Sequence, residues 1–279
     1  MIKKAIIPVA GRGTRMQPIT NIIAKEMLPI RTPPPVQWIV EEAVASGIEQ
    51  ILFVINHEKG MVAKYFAGTE TPVTYDKGGT YEYNCLGKMI SVAFNYQGNL
   101  YGSGAAVLRG QEFAAGHTVA ILFGDDIIVG NPAATKQLID VSETHGYSSV
   151  IGVQSQKEEI LRTCALVEGD AIDGSSGKVR RIVEKPKGEL TGDLTSLGRF
   201  ILDKKGFETL RNTPVRDGEL WLTDALNAQA KEDKVYYCKF AGDRYDVGSK
   251  FGYIHTFNSL AISANDQEAF RRYVEDSRR

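Results

Sequence analysis

The sequence predicts an α/β protein whose central sheet is mixed but mostly parallel and is covered by helices. Strand-like apolar segments alternate with amphipathic helical segments through most of the 279 residues, which is typical of repeated βα units. With 43% hydrophobic residues, the chain can bury a core of the size expected for one large domain. After about Thr163 the strand candidates become shorter and are separated by glycine and proline turns. This change indicates a smaller β lobe.

The first half of the chain begins with two βα units and then adds two further strands. Strands are predicted at residues 5–9, 51–55, 119–123 and 149–153. Helices are predicted at residues 36–45, 58–66 and 132–144, the last with a proline near its start, where a missing N–H is harmless. These elements belong to one sheet.

The second half contains three shorter strands followed by helices. The strands are predicted at residues 165–168, 179–184 and 195–202, and the helices at 204–210, 221–231 and 250–264, with a frayed surface helix at 271–279. In the first half, residues 69–87 are polar and contain Gly78-Gly79, which favours a surface loop. A lid or a subunit contact is the alternative for this segment.

Charge and hydropathy favour a small-molecule partner. Lys and Arg number 33 against 34 for Asp and Glu, so the net charge of −1 gives no field that would attract nucleic acid or an anionic membrane. The longest apolar runs, residues 51–55 and 119–123, are far too short for a membrane span. The first residues do not resemble a secretory signal, so we expect a cytoplasmic protein.

Cysteine and histidine positions do not favour a disulfide framework or a zinc site. The three cysteines are odd in number and widely spaced, and we expect reduced thiols. The four histidines contain no close pair at a helical ligand spacing. These residues are Cys85, Cys164 and Cys238, with His57, His117, His145 and His255.

A glycine-rich segment directly after the first strand predicts a phosphate site. Gly11 and Gly13 allow backbone N–H groups to approach an anion, and Arg15 and Lys25 supply positive charge. For the glycines alone, a tight strand-to-helix turn is an equal alternative. A dinucleotide fingerprint would need a third glycine where Met16 stands, and a Walker loop would need Gly-Lys before Ser or Thr. The segment is therefore a different kind of phosphate loop.

The pattern G-x-G-T-R at residues 11–15, followed by K-E-M-L-P at residues 25–29, resembles the sugar-nucleotide pyrophosphorylases, most closely the bacterial UDP-glucose enzymes. The resemblance spans nearly the whole chain, and seven further segments fall in the family's order. They are Pro35-Val36-Gln37-Trp38, Gln97 with Gly102-Ser103-Gly104, Gly124-Asp125-Asp126, Val183-Glu184-Lys185-Pro186, Gly198-Arg199-Phe200, Glu219 with Leu222-Thr223-Asp224, and Tyr245-Asp246-Val247-Gly248.

The resemblance implies a single Rossmann-like domain of the nucleotide-diphospho-sugar transferase type over residues 1–279. Its nucleotide-binding half would cover residues 1–162, its sugar-phosphate-binding half 163–248, and its C-terminal helical segment 249–279. The implied reaction joins UTP to glucose 1-phosphate, giving UDP-glucose and pyrophosphate by Mg²⁺-assisted in-line attack on the α-phosphorus. Because the attacking phosphate is already an anion, cations and Mg²⁺ matter more in such a site than a general base.

The family's roles transfer to matching positions of this sequence. Arg15 is implied as the clamp on the β- and γ-phosphates, and Lys25 as a bridge between the attacking and α-phosphates. The implied Mg²⁺ ligands are Asp125 and Asp246, with Asp126 as the alternative to Asp125. The implied nucleotide-binding residues are Ala10, Gly11, Gly13, Thr14, Gln97 and Gly102, and the implied sugar-phosphate-binding residues are Glu184, Lys185 and Gly198.

Several positions depart from the family pattern and leave base and sugar selection open. Cys164-Ala165 stand where Tyr-Gly is usual, Ser103 and Ala105 where Leu and His are usual, and Trp221 where Gln is common. Thymidylyl transfer from dTTP is therefore the alternative reaction. A non-catalytic regulatory homologue is the alternative class, but it predicts losses among charged site residues that are all present. A homodimer or homotetramer is implied by the resemblance alone.

Overall fold

A computed structural model describes residues 1–30, 33–232 and 234–260, together with Arg272, Glu275 and Asp276. The strands are β1 Lys4–Pro8, β2 Gln50–Ile55, β3 Thr80–Cys85, β4 Lys88–Tyr96, β5 Val119–Leu122, β6 Asp126–Val129, β7 Ser149–Ser155, β8 Ala165–Ala171, β9 Ser176–Glu184, β10 Leu194–Leu202, β11 Val235–Lys239 and β12 Asp243–Asp246. The helices are α1 Pro35–Ala45, α2 Gly60–Ala67, α3 Ser103–Leu108, α4 Gln111–Ala114, α5 Ala134–Thr144, α6 Glu158–Leu161, α7 Lys204–Arg211, α8 Leu222–Ala230 and α9 Lys250–Leu260.

Ten of the strands in the described part of the chain form one sheet, in the order β3-β4-β2-β1-β5-β10-β7-β11-β9-β8. The pairs β1–β2, β2–β4, β1–β5 and β7–β11 are parallel, whereas β10 lies antiparallel to both β5 and β7. The two edges are antiparallel pairs, β3–β4 and β8–β9. Seven of these ten strands run in one direction and only β3, β9 and β10 run in the other, so the predicted mixed, mostly parallel sheet is confirmed. Strands β6 and β12 form a separate antiparallel pair.

Apolar cores cover both faces of the sheet, because the central strands carry apolar side chains at consecutive positions. Ile6 and Ile7 on β1 are both fully buried but point to opposite faces. Ile7 packs in the core that contains α1 residues such as Ile39, whereas Ile6 packs in the core that contains Leu222 of α8. This two-sided burial leaves the ends of the strands as the accessible part of the sheet.

The surface loop predicted at residues 69–87 is wrong for its second half, which forms β3 and pairs antiparallel with β4. The side chains of β3 alternate, with exposed Thr80, Glu82 and Asn84 between the more buried Tyr81 and Tyr83. Such alternation is what an edge strand with one solvated face requires. The many polar residues were interpreted as a loop because half of the strand faces water.

The remaining predicted elements are found within a few residues of their predicted bounds, while β4, β6, β11, β12, α3, α4 and α6 were not predicted. The helix predicted at 250–264 is α9 as far as Leu260, and residues 261–264 lie outside the described residues. Of the predicted helix at 271–279, the described residues Arg272, Glu275 and Asp276 are helical. Among the described residues, no helix is both long and apolar enough to span a membrane.

Candidate functional site

A cavity of about 600 Å³ lies at the carboxyl ends of the parallel strands β1, β4 and β5. One wall is the glycine segment after β1, and another is the segment between β4 and α3. Open α/β sheets place their ligands at this edge. The cavity brings together all the predicted nucleotide-binding residues, namely Ala10, Gly11, Gly13, Thr14, Gln97 and Gly102, together with Lys25 and Asp125.

A second cavity, of about 520 Å³, adjoins the first and shares Ser103, Phe123 and Asp125 with it. Strands β8, β9 and β10 and the start of α8 contribute its walls. Asp125 therefore lies at the junction of the two cavities. The predicted residues on the wall of the second cavity are Arg15, Asp125, Glu184, Gly198 and Asp246.

The two glycines of the loop after β1 serve different purposes. A Cβ at Gly11 would have no neighbour within 4 Å, so this glycine leaves its backbone open towards the first cavity. Gly13 has a left-handed φ of 65°, and a Cβ there would lie 2.9 Å from Thr20 Cγ2. Gly13 is thus required by the turn, whereas Gly11 has the open backbone expected of an anion site.

Lys25 and Asp125 form an ion pair where the two cavities meet. Burial alone would raise the pKa of Asp125, but the charge and hydrogen bond of Lys25, with Arg15 and Arg244 nearby, lower it to about 2. Burial alone would lower the pKa of Lys25, but the carboxylates of Asp125 and Glu26 outweigh it, so that pKa is raised. Both groups are charged at neutral pH.

The pairing of β6 with β12 brings Asp246 to Asp125. Asp246 lies opposite Asp126 in the register, and the Val247 N–H donates to the Asp125 carbonyl at 2.9 Å. A Cβ at Gly248 would lie 2.7 Å from Asp125 Oδ2, 2.9 Å from Arg15 Nη2 and 3.0 Å from Asp246 Oδ1. Both predicted metal ligands and the predicted phosphate clamp thus lie around one point, and a glycine keeps that point accessible.

This donor set suits Mg²⁺. Carboxylate oxygens are the hard ligands that Mg²⁺ prefers, and this ion is usually held by one or two carboxylates plus substrate phosphates and water. Asp125, with a pKa of about 2, stays ionised at neutral pH. No group of three or more His, Cys, Asp or Glu side chains in the described part of the chain is arranged to hold a metal without such help. The chemistry of Asp125 and Asp246 therefore fits Mg²⁺ as two of its carboxylate ligands.

Asp126 has a different partner from Asp125. Its Oδ1 accepts a hydrogen bond from Arg244 Nε at 2.7 Å, and both side chains are largely buried. Burial raises the pKa of Asp126. The positive charge of Arg244 lowers this pKa, and the nearby carboxylates of Asp125 and Asp246 raise it, so that the net pKa is raised. A Cβ at Gly198 would lie 2.5 Å from Asp126 Oδ2, so this glycine makes room for the carboxylate. Asp126 is thus held beside the candidate metal pair by Arg244.

Glu184 ends β9 and lines the second cavity, whereas Lys185, the next residue, is exposed and lines neither of the two cavities. Glu184 Oε2 accepts a hydrogen bond from Thr223 Oγ1 at 2.8 Å, and burial raises the pKa of Glu184. Lys185 has a left-handed φ of 45°, and its N–H donates to the Cys164 carbonyl at 3.1 Å. Its ammonium lies 4.5 Å from the centroid of the Trp221 ring, which lines the cavity.

Gln97 and Gly102 are held by contacts within the protein. Gln97 Nε2 donates to the Leu100 carbonyl at 2.8 Å, which braces the segment after β4. Gly102 has a φ of 102°, and a Cβ there would lie 2.3 Å from the Leu220 carbonyl oxygen. The close approach of the two chain segments therefore requires this glycine. Contact of either residue with a base stays a prediction.

The positions that depart from the family pattern lie in different surroundings. Cys164 and Ala165 line the second cavity, and Ser103 lines both cavities while accepting a hydrogen bond from the Leu222 N–H at 3.2 Å. Ala105, in contrast, is buried in the apolar core. Trp221 lines the second cavity as well, so four of the five departures lie on a cavity wall.

Two further residue pairs, beside the first cavity, were not predicted. The Arg12 guanidinium lies 4.6 Å from the centroid of the Tyr101 ring, and both residues line the first cavity from opposite walls. Lys59 Nζ donates to Glu26 Oε2 at 2.6 Å, with both side chains buried, and burial lowers the pKa of Lys59. Neither pair carries a local sequence signal, since 89 and 33 residues separate the partners.

The fold and site define a class. An open mixed α/β sheet with a glycine loop at its carboxyl edge, next to cations and paired carboxylates, is typical of proteins that bind nucleotides and act on their phosphates. A family model described as nucleotidyl transferase matches residues 4–262. The chain belongs to the nucleotidyl transferase family, which confirms the predicted class.

Curated relatives refine this placement. The chain is 36% identical over 288 residues to a UTP–glucose-1-phosphate uridylyltransferase of Staphylococcus epidermidis, covering 98% of this chain and 99% of the relative. It is 37% identical over 283 residues to the enzyme of that name numbered 2 in Staphylococcus saprophyticus, covering 98% and 96%. The predicted resemblance to the UDP-glucose branch of the family is therefore confirmed.

Solved structures agree with the fold. A UDP-glucose pyrophosphorylase complexed with UDP-glucose matches with a TM-score of 0.82 and 31% identity, covering 93% of this chain and 98% of the other. A UTP-bound UGPase from Acinetobacter baumannii matches with a TM-score of 0.84 and 26% identity, covering 98% and 99%. The overall fold is thus similar over nearly the full length of both proteins.

Proposed function

We propose that this protein transfers the uridylyl group of UTP to glucose 1-phosphate, giving UDP-glucose and pyrophosphate. The observation that carries the proposal is the meeting of Arg15, Asp125 and Asp246 around one point between two adjoining cavities. One cavity has the glycine loop expected for a triphosphate, and the other has the polar rim expected for a sugar phosphate. The curated relatives that carry this activity in their names favour uracil over thymine.

The chain's own residues supply charge and position. UTP would lie in the first cavity, with its phosphates against the open backbone at Gly11 and reaching the guanidinium of Arg15 on the wall of the second cavity. Glucose 1-phosphate would lie in the second cavity, where Glu184 accepts hydrogen bonds from sugar hydroxyls. Its phosphate oxygen attacks the α-phosphorus in line, and pyrophosphate leaves. Lys25, at the junction, neutralises the two anions as they approach.

Asp125 and Asp246 would hold Mg²⁺ in this proposal. When bound, the ion would neutralise charge that develops on the phosphate oxygens. Lys25 pairs with Asp125 in the structure described here. A triphosphate bringing Mg²⁺ would therefore compete for this carboxylate and leave the Lys25 ammonium free to bind phosphate.

Pyrophosphate release tests the proposal. The purified protein, with Mg²⁺ and glucose 1-phosphate, is assayed against UTP, dTTP, CTP, ATP and GTP at equal concentrations. We expect UTP to give the highest kcat/KM. Turnover with dTTP alone would replace the base assignment, and the absence of turnover with every triphosphate would overturn the activity.

A further inference from the structure

The ammonium of Lys185 lies over the face of an indole ring. Its Nζ is 4.5 Å from the centroid of Trp221, which precedes α8 on the wall of the second cavity. In the described part of the chain, Lys185 forms no ion pair with a carboxylate. The neighbouring Glu184 accepts a hydrogen bond from Thr223 instead. The indole is thus the contact that holds the charged end of Lys185.

The backbone adds a second constraint on this lysine. Lys185 has a left-handed φ of 45°, and its N–H donates to the Cys164 carbonyl at 3.1 Å. Pro186, the next residue, is buried. Trp221 is held in turn from the next position, because the Leu222 N–H donates to Ser103 Oγ at 3.2 Å. Hydrogen bonds therefore fix the backbone at Lys185 and next to Trp221, beside the second cavity.

An aromatic partner suits a phosphate-binding lysine. A carboxylate would accept hydrogen bonds from the ammonium and neutralise the positive charge that a phosphate needs. An indole face attracts the cation electrostatically but carries no negative charge and no carboxylate oxygens. The ammonium then keeps both charge and donors for an incoming anion.

We propose that Trp221 is a positioning residue that holds the Lys185 ammonium at the rim of the second cavity, ready for the phosphate of the sugar 1-phosphate. The inference rests on the proposed function, since it names a residue that acts through Lys185 on that substrate. Trp221 acts through its ring face, so phenylalanine retains part of the effect and leucine removes it.

Steady-state kinetics test this role through the KM for glucose 1-phosphate. We expect Trp221→Leu to raise this KM about two- to fivefold, the range of an exposed cation–π contact, with kcat and the KM for UTP little changed. Trp221→Phe should raise it less. Lys187→Met, which removes an exposed lysine two residues further on, is the matched charge control and should leave all three parameters unchanged.

A double-mutant cycle separates positioning from simple packing. If Trp221 acts through Lys185, Trp221→Leu should have almost no effect on this KM in a Lys185→Met background. An equal effect in both backgrounds would overturn the proposal. Thermal unfolding checks that each variant is folded, and Trp221→Phe carries the same cycle if the leucine variant does not fold.

Fluorescence gives a readout that does not depend on turnover. The chain contains two tryptophans, Trp38 and Trp221, so Trp38→Phe leaves a single probe beside Lys185. Glucose 1-phosphate, added without nucleotide, should change the emission of this variant, and Lys185→Met should abolish the change. An unaltered change in the Lys185→Met background would contradict the pairing.

The two proposals fail in different ways. The protein could release no pyrophosphate with any triphosphate while glucose 1-phosphate still changes the Trp221 emission in a Lys185-dependent way. This result would reject the proposed reaction and support the pairing of Lys185 with Trp221. Normal pyrophosphate release with additive effects of the Trp221 and Lys185 substitutions would reject the pairing alone.

Discussion

Asp125→Asn should destabilise the protein at neutral pH, and the loss should disappear in acid. The pKa of Asp125 falls from an ordinary 3.8 to about 2 in the folded protein, with Lys25 as the main partner that lowers it. A depressed carboxyl pKa stabilises the folded state above the unfolded-state pKa, and this contribution is lost as the pH falls through the folded-state value. The pH window therefore lies between about 4 and about 2.

The size of the effect follows from the two pKa values. At pH 7 the difference corresponds to about 2 kcal/mol of unfolding free energy. Only 22% of the Asp125 side chain is exposed, which limits screening by solvent. Glu26, at 4.0 Å from the Lys25 ammonium, retains part of the attraction in the variant and reduces the loss. We therefore expect 1 to 2 kcal/mol, to order of magnitude, at neutral pH.

Urea unfolding of the wild type and Asp125→Asn between pH 7 and pH 2 measures this difference. Asp246→Asn is the matched control, because it replaces another carboxylate of the same site. The Asp246 carboxylate accepts hydrogen bonds from Gly248 and Ser249, and it has no lysine partner in the described structure. A stability loss that stays constant down to pH 3, or that equals the loss in Asp246→Asn, would refute the reasoning.

Three further predictions concern one buried ion pair and two residues of the site. Glu42→Gln should lower the free energy of unfolding, measured in urea, by about 3 to 5 kcal/mol, because it leaves the fully buried Arg199 without its bidentate partner. A loss below about 1 kcal/mol would contradict the importance of this pair. Arg12→Ala should raise the KM for UTP several-fold and leave that for glucose 1-phosphate unchanged, since Arg12 and Tyr101 line the first cavity only; equal changes in both KM values would count against the cavity assignment. Asp246→Asn should lower kcat by orders of magnitude while the protein stays folded, with higher Mg²⁺ recovering part of the rate, and a near-normal rate would remove Asp246 as a metal ligand.

The sequence was most informative where the physical signal is local. The strands and helices of the early βα units follow from apolar periodicity, and the glycine segment after β1 follows from its position and charges. The ordered motifs identified the family because seven spaced matches are specific where one loop is not. The sequence analysis missed the edge strand β3. Its exposed residues Thr80, Glu82 and Asn84 are polar, as the residues of a surface loop usually are.

Long-range pairing could not be predicted in the same way. Arg199 meets Glu42 across 157 residues, and Arg244 meets Asp126 across 118 residues. The requirement for glycine at 102 depends on the Leu220 backbone, which no local pattern reveals. Such contacts depend on how the sheet is assembled, so only the folded chain shows why these residues are needed.

Some interpretations of the sequence stay predictions. The individual roles of the site residues, the Mg²⁺ cofactor, the division at residues 162 and 248, the cytoplasmic location and the homodimer or homotetramer are of this kind. Among the departures from the family pattern, Cys164, Ala165 and Ser103 line the cavities, whereas Ala105 lies in the core. Ala105 is therefore not in a position to contact a ligand. Sugar selection should therefore be examined first at Cys164 and Ala165.

The fate of the α-phosphorus of UTP tests the central claim most directly. The protein is incubated with Mg²⁺, glucose 1-phosphate and UTP that carries a radioactive label at the α-phosphorus. The account predicts that the label enters UDP-glucose in an amount equal to the pyrophosphate released, and that Asp125→Asn and Asp246→Asn each reduce this transfer by orders of magnitude. Label that stays in UTP or appears as UMP in the wild type, or transfer that survives both substitutions, would contradict it.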